Sequence, residues 1–364
     1  MKIVEGTIIS HYCFDAAEEI ELGKIETLFG KKAKESKIDY QRITPPYIQY
    51  KTSPLLIKLG NFEKKIADID FSINCHTKIY DFGVITIKFF IPIKDIEWGT
   101  LKKINTEILK NQVLEKKAFE YFEKVKEEIK ELIILPNKEI EWEDYPVFMV
   151  KQFEKSMDAK ELLKSIKDIG KVLAGEDLDL SKKEINDATK DPLSYFKDDL
   201  TIINWNASFI YDPRASQDII DIIEFAVIEL LELRVYDSVL DKAMEKAYDY
   251  IAISKKKKFF APPASVMRYL EEVKLEVSEV IEKVENSLKL IGDPYLAKVY
   301  SMASSKLFLE KWKSAVRKKL DTIDNTYSMI WERASTKRME LLEVMIVVLF
   351  VMDIFLFLFE LFFK

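Results

Sequence analysis

Glycine is scarce in this chain, nine in 364 residues, and cysteine and histidine number two each. Loops that cradle phosphate need glycine so that backbone can approach the ligand, and neither G-x-x-x-x-G-K-[ST] nor G-x-G-x-x-G occurs. G-x-S-x-G and H-E-x-x-H are missing as well. The sequence therefore predicts no enzyme and no cofactor. Two cysteines build no disulfide framework, as expected in a reducing compartment. An excess of basic residues is also lacking: the net charge is −6, so specific nucleic-acid binding is not expected. Proline stops at Pro294 and glycine at Gly292, which leaves nothing to interrupt a helix beyond them.

Apolar runs of membrane-spanning length are missing until Leu341, where LLEVMIVVLFVMDIFLFLFELFF runs to Phe363. As a helix it is roughly 34 Å long against a hydrocarbon core of about 30 Å. Its Leu, Ile, Val, Phe and Met side chains favour insertion by roughly 5 to 10 kcal/mol together, and a central Asp353 opposes it by about 3. Insertion wins. The flank Lys311 to Arg338 is rich in Lys and Arg, whereas Lys364 alone follows, so the bulk of the protein is expected on the cytoplasmic side. MKIVEGTIISHYCF has too short an apolar core for a signal peptide. Arg333, Lys337 and Arg338 are the expected membrane-surface anchor. Glu343, Asp353 and Glu360 are expected to associate with another helix, because a carboxyl group inside a bilayer needs a partner.

Before Pro294, strand and helix patterns alternate. Lys2 to Phe14 reads as a strand, Asp15 to Phe29 as a helix ended by Gly30, and Ile66 to Thr77 with Phe82 to Ile91 as a hairpin about Lys78 to Asp81. A long helix from Ile96 to Ile134 and a strand from Val147 to Phe153 complete a β-α-β-β-α-β order, that of ferredoxin-like folds. A helix from Ala159 to Leu173, a polar linker from Gly175 to Asp191 and a strand from Thr201 to Tyr211 follow. In the ferredoxin-like order the pairs His11 with Cys13 and Cys75 with His76 fall at opposite edges, and adjacent Cys75 and His76 point to opposite faces, so no metal site is expected. Trp205, inside its strand, reads as core, as do Trp98 and Trp142.

Asp212-Pro213 predicts the start of a helix reaching Tyr250. Ile219, Ile222, Ile223, Ala226, Leu230, Leu233, Val239 and Leu240 make its apolar face, and Asp221, Glu224, Glu229, Glu232 and Asp241 read as solvated charges. Lys255 to Lys258 with Phe259-Phe260 reads as a solvated loop. Leu270, Val273, Val277, Val280, Val284 and Ile291 then recur at coiled-coil spacing. After a turn at Gly292-Asp293-Pro294, heptads continue through Val316, Leu320, Ile323, Tyr327 and Ile330 into the apolar run. The pattern predicts a helical hairpin whose second arm enters the bilayer, and self-association as a homo-oligomer.

The stretches DPYLAKVY (Asp293 to Tyr300), LEKWKSAVRKKLDTIDNTY (Leu309 to Tyr327) and KRMELLEVMIVVLFVMDI (Lys337 to Ile354), with FAVIELLELRVYDSVLDK (Phe225 to Lys242), resemble the required-for-meiotic-nuclear-division family over roughly Asn204 to Phe363. In that family an Arg-containing stretch leads to an acidic residue, an apolar run and a second acidic residue, matched here by Arg338, Glu343 and Asp353. The resemblance implies a membrane tether or assembly factor supporting translation, with a ribosome or another membrane protein as partner, and brings no catalytic residues.

The expected organisation is an α+β cytoplasmic domain over 1–212, a long helix closing it over 213–260, a coiled-coil hairpin stalk over 265–340 and one transmembrane helix over 341–363. The expected function is a self-associating scaffold or tether on the lipid bilayer. An ion channel built from a bundle of such helices is the alternative, since an α/β domain with a stalk helix also resembles CorA-type magnesium channels. The Gly-Met-Asn signature and second membrane helix of those channels are missing.

Overall fold

A computed structural model describes residues 2–25, 40–42, 53–110, 112–175, 180–256, 264–288 and 293–362. They are mixed α and β and divide into two compact units, Met1–Val235 with Val284–Trp312, and Tyr236–Lys283 with Lys313–Lys364.

The first unit is built on an eight-stranded sheet in the order β3-β4-β5-β6-β1-β8-β10-β9. Its strands are β1 (Lys2–Asp15), β3 (Tyr40–Arg42), β4 (Leu55–Ile66), β5 (Ile69–Ile79), β6 (Val84–Glu97), β8 (Trp142–Phe153), β9 (Leu200–Ile203) and β10 (Ser208–Tyr211). β2 (Ala17–Ile20) and β7 (Ile133–Pro136) form a separate ribbon. All pairings in the large sheet are antiparallel except β8 with β10. β1 lies centrally and is covered on both faces, which explains its nearly unbroken apolar sequence. Ile8, Tyr12 and Phe14 face one side and Ile9, His11 and Cys13 the other, all buried. Gly6 sits at a register shift between β1 and β8, where a Cβ would lie 2.6 Å from the Met149 carbonyl oxygen.

Helices α1 (Trp98–Leu109), α2 (Glu115–Glu128) and α3 (Ile166–Ala174) share one core with the Phe14 face. Phe14 stacks on Phe122 with ring centroids 4.3 Å apart. A shorter helix, α4 (Lys182–Ala188), is capped by the Ser181 side chain. The opposite face is covered by the first half of α5 (Gln217–Lys256). α7 (Pro294–Lys306) starts on an Asp293 cap that accepts from the Tyr295 and Leu296 N–H groups.

Several expectations change. Ala17–Ile20 is strand rather than helix, and 26–39, with the expected end at Gly30, lies outside the described residues. The sheet is larger than a four-stranded ferredoxin-like one, because β3 and β4 extend one edge and β9 and β10 the other. Ala67 and Asp68, at φ +49° and +64°, make a tight two-residue turn, so the first predicted hairpin strand is β5, starting at Ile69, and is preceded by a further strand, β4, that was not expected. The single helix predicted over Ile96–Ile134 breaks into α1 and α2, and the linker after Gly175 contains α4. The strand Thr201–Tyr211 is a hairpin turning at Asn204 to Ala207. Helix α5 begins at Gln217, because the Asp212 carboxylate accepts from the N–H groups of Arg214 and Ser216 and holds a turn before it.

The second unit contains the end of α5, α6 (Ala264–Leu288) and most of α8 (Leu309–Phe362). Leu270, Val273 and Val277 of α6 are buried, as are Val316, Ile323 and Ile330 of α8. Lys319 bridges Asp237 and Asp241 of α5, each at 2.7 Å. The unit thus contains three helical segments, of which α6 and α8 lie within the expected stalk and its membrane extension. Residues 257–263 and 289–292, within the predicted lysine loop and the turn at Gly292, lie outside the described residues.

Gly83 closes the turn between β5 and β6 at φ +94°, where a Cβ would lie 1.6 Å from the Ala17 carbonyl oxygen. Gly83→Ala is expected to lower unfolding free energy by at least about 3 kcal/mol. Gly60→Ala, at φ +109° with open space around it, should lose only about 1 to 2 kcal/mol. Urea midpoints of the two variants check the order.

Candidate functional site

Where α5 lies on the sheet, charge is buried. The pairing register sets Lys78, Thr86 and Cys13 side by side across β5, β6 and β1, and His76, Lys88 and His11 in the next row on the same face. Asp221 and Glu224, three apart on α5 and so on one face, reach down to them. Lys78 Nζ lies 3.1 Å from Glu224 Oε2 and 3.4 Å from Asp221 Oδ1. Lys88 donates to Glu224 and stands 3.9 Å from Asp221, and Thr86 Oγ1 donates to Glu224 Oε1 at 3.0 Å. Two cations and two anions thus balance where water is excluded. Burial alone would raise the Glu224 pKa, but Lys78 and Lys88 hold it well below the usual carboxylate range.

These carboxylates are not solvated. Asp221, Glu224, Glu229 and Glu232 are all buried, and Glu229 accepts from the Tyr300 hydroxyl. Of the five predicted surface charges on this helix, Asp241 is the exposed one. The missed signal was the apolar sequence on every side of the helix between Ile219 and Leu233, which marks a helix buried all round whose charges need partners.

His11 and His76 flank the same Lys88 and are therefore separated by one strand, not set at opposite edges. Two strand spacings, about 10 Å, are too wide for a shared metal ion, and Cys75 faces the other side of the sheet. His11 Nδ1 lies 3.1 Å from the Tyr145 carbonyl oxygen and donates to it, while Nε2 has no hydrogen-bond partner among the described residues. Burial, then the charge of Lys88, lowers its pKa to about 4.

The cluster connects to an open cleft at the tip of the β9–β10 hairpin. The Tyr145 hydroxyl donates to the Asn204 carbonyl oxygen at 2.7 Å, and Asn206 Nδ2 to the Ala174 carbonyl at 3.3 Å. The turn is held so that Trp205, read from sequence as core, is 62% exposed. It lines a cleft of about 580 Å³ with Asp144, Asn206, Arg234, Lys306, Phe308 and Trp312. Asn105 Nδ2 bonds the Val172 carbonyl at 2.6 Å and Thr106 Oγ1 the Gly175 carbonyl at 3.2 Å, which fixes the ends of α1 and α3 as one wall. Arg234 pairs with Glu143, and Lys306 Nζ donates to the Asp187 carbonyl at 2.9 Å. Burial raises the Asp144 carboxyl to about 6, and Glu115 adds to the rise.

The sequence-predicted site residues lie elsewhere, on α8. Arg333 and Arg338 are exposed and Lys337 is half-buried. Glu343 and Asp353 are exposed on the apolar stretch, and the side chain of Glu360 lies outside the described residues. An 18-residue window here has mean hydropathy 2.8 and none of it is buried, so this helix is long and apolar enough to cross a membrane.

An α+β body with a buried ion cluster and an open cleft, in a chain that also carries one membrane-length helix, is the class these features define. The family described as uncharacterized protein MJ0711, N-terminal domain, matches residues 5–218, and the chain belongs to it. Uncharacterized protein MJ0711 of Methanocaldococcus jannaschii is 27% identical over 268 residues, 73% of this chain and 81% of that protein. No solved structure matches.

Glu224→Gln keeps the shape and the bond to Thr86 but leaves two lysines facing Asp221 alone. A loss of about 3 to 5 kcal/mol in chemical denaturation is expected, with part recovered when Lys88→Met restores the balance. His11 acts through pH. An unfolded His11 takes up a proton below about pH 6.5 while the folded one stays neutral to about pH 4, so its contribution to stability falls by about 3 kcal/mol as pH drops across that window. The difference in unfolding free energy between native chain and His11→Gln is expected to shift by that amount, in favour of the variant, from pH 7 to pH 4. A pH-independent difference would contradict the buried neutral imidazole.

Proposed function

We propose that the chain is a membrane-anchored, self-associating scaffold or tether, with its α+β body on the cytoplasmic side. The observation that carries this is the uncovered apolar surface of α8 from Leu341 to Phe359, where Phe355 is 73% and Leu349 63% exposed. So long an apolar surface is unstable in water and needs lipid or other apolar helices around it. The basic residues Arg333, Lys337 and Arg338 before the span favour a cytoplasmic body.

The heptad positions divide into two sets. Val316, Ile323 and Ile330 are buried within one chain, whereas Val344, Val348, Val351 and Phe355 further along the same series are exposed. This division supports a coiled-coil seam between copies within the bilayer, where Glu343, Asp353 and Glu360 need partners as well. The resemblance to the required-for-meiotic-nuclear-division family supports a role in translation or assembly at the membrane, with a ribosome or membrane protein as partner. A ferredoxin-like ancestry of the sheet fits the antiparallel run β5-β6-β1-β8. We infer no catalysis, cofactor or metal.

After alkaline carbonate extraction the full chain is expected in the membrane pellet, and a variant ending at Glu340 in the supernatant. Asp353→Leu should keep the chain in the pellet but reduce the mass of the detergent-solubilised assembly. Full-length chain in the supernatant would overturn the anchor, and an unchanged mass would overturn self-association through Asp353. Ion flux into liposomes, abolished by the same substitution, would instead establish a channel.

A further inference from the structure

The cleft beside the β9–β10 turn holds features that folding alone does not require. Trp205 occupies a hairpin turn, where small polar residues satisfy the backbone equally well, and its ring stands in solvent. Phe308, 51% exposed, sits at φ +57° between α7 and α8, a backbone region that disfavours a side chain by about 1 to 2 kcal/mol. Trp312 adds a further ring to the lining. Trp205, held outside any core, forms a platform on which a flat ring can stack, and Phe308 adds a ring that carries Lys311 Nζ 4.6 Å from its centroid.

Asp144 supplies the second element. It lines the cleft half-buried, and among the described residues no cation forms an ion pair with it. Among the described residues its own backbone N–H is the donor it has, so a carboxylate largely withdrawn from water keeps acceptor positions that a ligand bearing N–H groups would complete. Lys110, at the end of α1, and Lys306 bring positive charge to other parts of the lining, where Arg234 is paired with Glu143. The cleft thus offers an acceptor for N–H donors, ring faces for a planar system and cations for an anionic group, within a volume of about 580 Å³ that suits a small molecule.

A donor edge, a ring face and an anion are the three parts of a purine nucleotide. We propose that this cleft binds a guanine nucleoside monophosphate. The Asp144 carboxylate accepts from guanine N1–H and the exocyclic amino group, one oxygen to each, the base stacks on Trp205, and the cationic lining attracts the phosphate. Adenine presents a lone pair at N1 beside its amino group, which would face a carboxylate oxygen and repel it. A simple amine would satisfy Asp144 but leave Lys110 and Lys306 opposed to it. A long RNA strand is disfavoured by the net charge of −6.

The test is titration of the detergent-solubilised full chain with GMP, AMP and inorganic phosphate, read by tryptophan fluorescence and calorimetry. GMP is expected to saturate with Kd below about 100 µM, AMP to bind at least about tenfold more weakly, and phosphate to give no signal below about 1 mM. Asp144→Asn should bring GMP and AMP within about threefold of each other. Trp205→Ala, an exposed change that leaves the melting temperature in place, should weaken both nucleotides at least about tenfold. Absence of GMP saturation below about 1 mM, or equal affinity for GMP and AMP in the native chain, would overturn the proposal. So would tighter binding of a guanine-bearing oligonucleotide than of GMP.

Discussion

The first unit depends on a balanced exchange of charge between a helix and a sheet face. Glu224 and Asp221 meet Lys78, Lys88 and Thr86 in a space closed to water. An all-apolar contact here would tolerate sliding of the helix by a residue or a turn. Ion pairs do not, because a shift leaves an uncompensated buried charge. The register of α5 is therefore fixed, and Leu230 and Arg234 on the same helix are placed at the cleft. From the other side, the bond from His11 to Tyr145 and from Tyr145 to Asn204 orients the turn that carries Trp205.

Much of the architecture could be read from the amino acids, and the gaps have physical causes. β1, β6 and β8 were visible because their apolar content exceeds anything a loop carries, and the membrane-length helix because length and hydropathy suffice to define it. Alternation in β6 is visible too, with Ile85, Ile87 and Phe89 in the core, but it does not show what covers the other phase. Lys78, Thr86 and Lys88 occupy the polar phase, which normally faces water, and here that phase is covered by a helix whose own carboxylates face down. Two polar faces that bury each other look identical in sequence to two that are solvated. The β9–β10 hairpin was missed because TIINWNASFIY reads as one strand unless Asn-Trp-Asn is taken as a turn. Asp144 gave no signal, since an acidic residue beside Glu143 and Trp142 at a strand start is unremarkable until the cleft around it is seen.

The family match and the membrane-length helix concern different parts of the chain. The match to the MJ0711 N-terminal domain spans 5–218, which takes in the large sheet except the first three residues of β1 but stops before Asp221 and Glu224. The helix able to cross a membrane lies beyond it. The second unit buries the heptad positions Val316, Ile323 and Ile330 and leaves the apolar residues from Leu341 to Phe359 exposed.

Hydrogen exchange of the detergent-solubilised chain, followed by mass spectrometry, reports most directly on whether buried charge ties helix to sheet. Amides of 219–234 are expected to exchange as slowly as those of β1 and β6, opening together with them in one cooperative step. Exchange of 219–234 ahead of the sheet, on the timescale of α6, would show that the helix opens independently of the strands and that the ion cluster does not hold the fold.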